Sequence, residues 1–311
     1  MTVAEKSQGL KKELKIKRPK LEDLDISIGK KTRLCRMLYE HGPANGTLLF
    51  LPIDQGIEHG PVDFFPNPES EDPDFQFRLA LEGGYSGIAV HIGLAEKYSR
   101  KYAGRVPLIL KINGKSTIPS DDNAFSPLTS SVEDAVRLGA DAVGYTLYVG
   151  SPAQDRDIKQ LNDVRYECEK YGMPLIVWAY PRGSAIESKG GKESLYAVDY
   201  AARLACEFGA DVVKINVPKI DEAKMDKLPK PYNTLKLSYE EAIAKVVKSA
   251  GRTMVLFSGG SKESDADLLH KAKAAMDSGA TGLIFGRNMW QREFSDAIKI
   301  SSQIKKIMLE S

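Results

Sequence analysis

Eight short β-rich runs, each followed by a stretch of helical periodicity, constrain this chain more than any other feature. The runs occupy residues 48–54, 87–92, 108–113, 142–148, 175–181, 212–217, 253–258 and 282–287. Amphipathic segments with glycine stops lie between them, for example 131–139, 155–172, 193–209, 239–251 and 262–279. Strand and helix repeated eight times with right-handed crossovers close into a (β/α)8 barrel of the TIM type more naturally than into an open sheet. Three phrases repeat one design of helix end, glycine cap, small residue and strand. They are Leu138-Gly139-Ala140-Asp141-Ala142, Phe208-Gly209-Ala210-Asp211-Val212 and Ser278-Gly279-Ala280-Thr281-Gly282.

A single barrel domain is expected over 47–311, preceded by an N-terminal extension over 1–46 with a helix near 32–41. Barrels spend roughly 200–250 residues on one core, so 311 residues do not by themselves choose between one domain and two, and the single domain rests on the unbroken run of strand–helix units. The connections 64–74 and 218–237 are long and follow strands, which places them on the catalytic rim.

Composition removes several classes of function. The longest apolar runs, near 175–179 and 253–257, are far shorter than the ~20 residues of a spanning helix. Residues 1–19 lack the apolar stretch of a signal peptide, so a cytoplasmic address is expected, with no membrane partner. Cys35, Cys168 and Cys206 are widely spaced and odd in number, which argues against a disulfide framework or a zinc–thiolate site. No pair among His41, His59, His91 and His270 has metal-ligand spacing, so neither metal nor cofactor is expected. Net charge is +2, yet residues 1–34 carry ten Lys/Arg against five Asp/Glu. With no aromatic residues there, that segment reads as an arm packing on the barrel or a neighbouring subunit rather than a nucleic-acid contact.

Side-chain alternation sorts residues by face. On the sixth run Val213, Ile215 and Val217 are apolar, while Lys214 and Asn216 share the other parity with Val212 and point into the barrel. The same test turns Trp178 and Tyr180, Lys111 and Asn113, and Asp54 inward. A buried amine must pair its charge or lose its proton. Losing it makes a nucleophile, and lowering an amine from about 10.4 to roughly 7–8 costs the charged form ~4 kcal/mol. Lys111 is the candidate second cation that helps. An ion pair of Lys214 with Asp54 is the plainer alternative. At the ends of the seventh and eighth runs stand Ser258-Gly259-Gly260-Ser261 and Gly286-Arg287-Asn288, loops suited to phosphate. Arg182 occupies another rim position, for a distal phosphate or an inter-loop salt bridge.

Taken in order, Leu51-Pro52-Ile53-Asp54-Gln55-Gly56-Ile57-Glu58-His59-Gly60-Pro61, Trp178-Ala179-Tyr180-Pro181-Arg182-Gly183, Ala210-Asp211-Val212-Val213-Lys214, Ser258-Gly259-Gly260 and Gly286-Arg287-Asn288-Met289-Trp290-Gln291 resemble the archaeal-type (DhnA-type) class I fructose-1,6-bisphosphate aldolases. Asp54-Gln55-Gly56, where many archaeal members read Asp-His-Gly, and the long 218–237 insertion look more like the bacterial branch. The resemblance implies a barrel, usually a decamer or related homo-oligomer, that splits fructose 1,6-bisphosphate into dihydroxyacetone phosphate and glyceraldehyde 3-phosphate without metal. It implies Lys214 as the Schiff-base lysine, Tyr180 as acid/base, Asp54 holding the lysine and substrate hydroxyls, and Trp178 as an aromatic neighbour. Lys111, Arg182, Ser258, Gly259, Gly260, Gly286 and Arg287 are the expected substrate contacts. A heptulosonate synthase or a thiolase-like enzyme on a phosphorylated ketone would also use a barrel lysine, and a non-catalytic sugar-phosphate binder would keep the barrel without the chemistry. The Trp178-x-Tyr180 pair and the intact Asp54, Tyr180 and Lys214 favour the aldolase.

Overall fold

A computed structural model describes residues 17–311. The first sixteen residues, half of the basic arm, lie outside the described residues. Eight parallel strands form a closed barrel in sequential order. They are β1 (Leu48–Pro52), β2 (Gly87–His91), β3 (Leu108–Lys111), β4 (Ala142–Val149), β5 (Leu175–Pro181), β6 (Val212–Asn216), β7 (Met254–Ser258) and β8 (Gly282–Ile284). Leu48 pairs with Gly282 and Phe50 with Ile284, which shuts the ring. Helices α2 (Pro73–Glu82) through α9 (Phe294–Glu310) follow the strands, preceded by α1 (Ile28–Cys35). Between them come α3 (Ile92–Tyr98), α4 (Val132–Arg137), α5 (Gln154–Tyr171), α6 (Leu195–Glu207), α7 (Tyr239–Ser249) and α8 (Asp265–Asp277).

Two apolar layers follow from strand alternation. Leu49, Leu51, Val213 and Ile215 join the large cluster between strands and helices. Phe50, Ile109, Ile176, Trp178, Val212 and Leu256 fill the barrel itself. The strands stop where these layers no longer demand a ladder. β1 ends at Pro52, and the carbonyl of Asp54 already accepts from Ile57 N at 3.2 Å and Glu58 N at 3.3 Å, starting a helical turn. β8 likewise ends at Ile284, and Arg287 opens a one-turn helix to Trp290. Both ends fall short of the expected runs because the catalytic loops curl over the mouth.

The repeated glycine phrase does two jobs. Gly139, Gly209 and Gly279 take φ of +67°, +82° and +90°, a left-handed turn that ends each helix and that side chains other than glycine adopt at a cost. The same phrase sets Asp141 and Asp211 at the bottom of the barrel. There Arg36 meets Asp141 at 2.7 Å, and Lys30, 1% exposed, meets Asp211 at 2.9 Å and also Glu169. Leu34, Met37 and Leu38 pack beneath the barrel interior, so α1 and the turn after it close the floor. The mouth at the opposite end is left to loops.

Candidate active site

Lys214 sits on β6 and is 3% exposed. Its Nζ lies 5.2 Å from the ring centre of Trp178 and 5.3 Å from that of Tyr180, both on neighbouring β5. Alternation produces this grouping directly, because Trp178 pairs with Lys214 across the β5–β6 ladder. Lys111, on β3, is wholly buried and its Nζ stands 5.4 Å from the same indole. That amine is tied down by Thr146 Oγ1 at 2.7 Å and Asn113 O at 2.8 Å. Lys214 meets ring faces.

The two amines are held unlike free lysines. Burial pushes the Lys214 amine down, Lys111 and Arg287 push the same way, and Asp54 and Glu58 oppose them without reversing the result. Burial also lowers Lys111. Asp54 is 1% exposed; burial works to raise its carboxyl, but Lys214, Lys111 and His91 together hold it below the usual carboxylate range. Neither of its oxygens has a hydrogen-bond partner among the described residues. The ion pair of Lys214 with Asp54, the plainer alternative from the sequence, is not made as a hydrogen bond, and the two attract at longer range. An amine stripped of water and facing a second cation favours its neutral, nucleophilic form.

Above this layer lies a cavity of about 290 Å³ whose wall includes Glu58, His59, Tyr180, Arg182, Lys192, Lys214, Asn216, Ser258–Ser261, Gly286 and Arg287. One end is made by the loops after β7 and β8. Gly260 has φ of +74°, and a Cβ on Gly259 would stand 2.8 Å from Asn288 Nδ2 and 2.9 Å from Phe285. Glycine is required there for a close approach. Asn288 fixes the loop by donating to Ser261 O at 3.0 Å and accepting from Glu263 N at 2.8 Å. Ser258 Oγ donates to Asn216 Oδ1 at 2.6 Å, tying the end of β7 to the end of β6. At the other end Arg182 donates to Asp121 at 3.1 Å, and Asp121 also meets Lys115 at 2.9 Å. The salt bridge expected as one alternative for Arg182 is formed, and the same guanidinium still borders the cavity.

Two residues of this cluster carry no assignment from the sequence. Glu58 follows Asp54 by one helical turn, its Oε1 is buried without a partner, and burial together with Asp54 raises its carboxyl. His91 closes β2 on the inward parity of Ala89, and burial and Lys111 push its imidazole down to about 4. The spacing of Asp54 and Glu58 at i and i+4 is the signal that would have found the first. Strand parity would have found the second. Among the described residues no group of three or more His, Cys, Asp or Glu side chains could hold a metal ion.

A barrel that buries a lysine against a phenol, a carboxylate and glycine-rich loops has the features of an imine-forming aldolase. A family model described as DeoC/LacD family aldolase matches residues 48–292, and the chain belongs to that family. Its relatives include the fructose-bisphosphate aldolase class 1 of Thermoproteus tenax, 40% identical over 264 residues, covering 85% of this chain and 90% of the relative. The enzyme of the same name from Halobacterium salinarum is 36% identical over 257 residues, covering 82% and 89%. Among solved structures, an archaeal fructose-1,6-bisphosphate aldolase with its catalytic lysine covalently bound to the carbinolamine intermediate is 36% identical with a TM-score of 0.75. It covers 89% of this chain, and 99% of its own is covered.

Proposed function

We propose that this protein is a Schiff-base-forming class I aldolase that reversibly cleaves fructose 1,6-bisphosphate to dihydroxyacetone phosphate and glyceraldehyde 3-phosphate. The observation that carries the reading is the buried Lys214 amine, 5.2 Å from Trp178 and 5.3 Å from Tyr180, opening on a cavity bounded by two phosphate-type loops. Breaking a carbon–carbon bond next to a carbonyl needs an electron sink, and a protonated imine is a far better sink than a ketone. Neutral Lys214 attacks C2, and Tyr180 moves the protons that turn the carbinolamine into the imine. Asp54, held ionised beneath, sets the field around the lysine. A base removes the C4 hydroxyl proton, C3–C4 breaks, and its electron pair passes into the imine. The chain is read as 47–311 catalytic barrel with 1–46 as extension, in a cytoplasmic homo-oligomer whose partner is a phosphorylated sugar. Among the described residues no helix is long and apolar enough to cross a membrane.

The loops after β7 and β8 take the C1 phosphate in this reading, and Arg182 with its neighbours takes the distal one. Anchoring the phosphate converts remote binding energy into placement of C2 against Lys214. Arg287→Ala removes a charge-assisted contact of about 1.5–3 kcal/mol, so bisphosphate affinity is expected to fall about ten- to a hundredfold. Isothermal titration checks this, and unchanged affinity removes these loops from the site. The function itself is tested by a coupled assay for triose phosphate release from fructose 1,6-bisphosphate. Turnover is expected and should survive exhaustive EDTA treatment, since the imine is the sink. Activity lost on chelation and restored by zinc contradicts the imine mechanism.

A further inference from the structure

Of the two carboxyl groups whose charge acts on Lys214, Asp54 and Glu58, only Glu58 reaches the cavity, whose wall also holds Glu193, paired with Lys219 at 2.7 Å. Asp54 lies underneath, 1% exposed. Glu58, one turn later, forms part of the cavity wall together with Lys214 and Tyr180. β1, which launches Glu58, and β5, which carries Tyr180, are four strands apart in a ring of eight and so face each other across the mouth. Glu58 Oε1 is buried with no partner among the described residues, an expensive state for a group without a task. The turn at Asp54 O, 3.3 Å from Glu58 N, fixes where that side chain starts.

We propose that Glu58 is the group that exchanges a proton with C3 of the lysine-bound substrate, while Tyr180 serves the nitrogen end at C2. The assignment rests on the imine chemistry proposed above. After C3–C4 cleavage the fragment left on Lys214 is an enamine. Its nitrogen lone pair reforms the C2=N bond, the C2=C3 pair takes the proton of the Glu58 carboxyl at C3, and Glu58 is left as the carboxylate. In reverse, the carboxylate removes a C3 proton from the dihydroxyacetone phosphate imine, and the C–H pair becomes C2=C3.

The electrostatics suit that division of labour. Burial and then Asp54 raise the Glu58 carboxyl, while Lys111, Lys214 and His59 pull it back. Asp54 is lowered at the same time, so two neighbouring acids are driven apart, one poised to hold a proton and one kept ionised. Tyr180 is pushed well above its ordinary value by burial, then by Glu58 and Asp54, which makes its phenolate a costly base for carbon. Tyr148 is raised as well, by burial and Glu58.

The test is the half-reaction that needs no aldehyde. Full-length enzyme is mixed with dihydroxyacetone phosphate in D2O, and loss of the C3 proton signal is followed by NMR. Imine formation is followed in parallel by borohydride trapping. Glu58→Gln should slow exchange about a hundred- to a thousandfold while trapping continues, and Glu58→Asp should restore part of the rate. Because the carboxylate removes the proton, wild-type exchange should fall as pH drops through the raised Glu58 value. That limb should vanish in Glu58→Gln. Exchange within threefold of wild type in Glu58→Gln overturns the proposal, as does loss of trapping together with exchange in both variants. A wild-type enzyme that does not trap at all refutes the imine reading instead.

Discussion

Lys214→Met is expected to lose fructose 1,6-bisphosphate cleavage by at least about 10⁴-fold, because the other amines near the cavity are exposed, as Lys192 is, or tied to Thr146 and Asn113, as Lys111 is. Methionine keeps an unbranched side chain of similar bulk against the Trp178 and Tyr180 rings. It also removes an amine whose charged form burial penalises. The fold should therefore stand, with a melting temperature at or above that of the wild type. Residual activity above one-hundredth of wild type, on the order of the loss of a single hydrogen bond, would move the nucleophile elsewhere. Steady-state kinetics beside a thermal melt checks both halves.

Tyr180→Phe removes one oxygen and leaves the ring. The ring centre lies 5.3 Å from the Lys214 amine and 5.3 Å from the Arg182 guanidinium, so packing on both sides survives the change. What is lost is a phenol that burial keeps protonated across the neutral range, a donor ready for carbinolamine dehydration. General acid/base groups typically contribute about 10²–10⁴-fold, so kcat should fall by that factor while KM changes much less. The mutant should also accumulate a covalent species that stalls before the imine, visible by intact mass spectrometry after rapid quenching. A wild-type kcat in Tyr180→Phe would return the residue to wall packing and pass the proton to Glu58 or water.

How far the sequence alone reaches can be followed residue by residue. The barrel was legible because each unit repeats the same burial problem, and Gly139, Gly209 and Gly279 stand where three of the helices must end. Lys111, Trp178, Tyr180 and Lys214 were legible because they lie on strands, where alternation fixes which way a side chain points. Glu58 lies just past β1, where a helical turn replaces the ladder and alternation no longer applies. The Arg182–Asp121 pair joins loops that are 61 residues apart, so no local pattern announces it. The floor was hidden for the same reason: Lys30 and Glu169 are separated by 139 positions and meet only once the barrel closes. His91 is different in kind. Its inward parity on β2 is readable, but no histidine partner at metal-ligand spacing marks it out.

The central claim is that Lys214 forms a covalent imine with the substrate, and one measurement addresses it directly. The enzyme is incubated with dihydroxyacetone phosphate, reduced with sodium borohydride, digested and mapped by mass spectrometry. The account predicts a reduced adduct on the peptide containing Lys214, formed in step with loss of activity. An adduct on Lys111 instead, or full inactivation resistance with no adduct while cleavage continues, would contradict it.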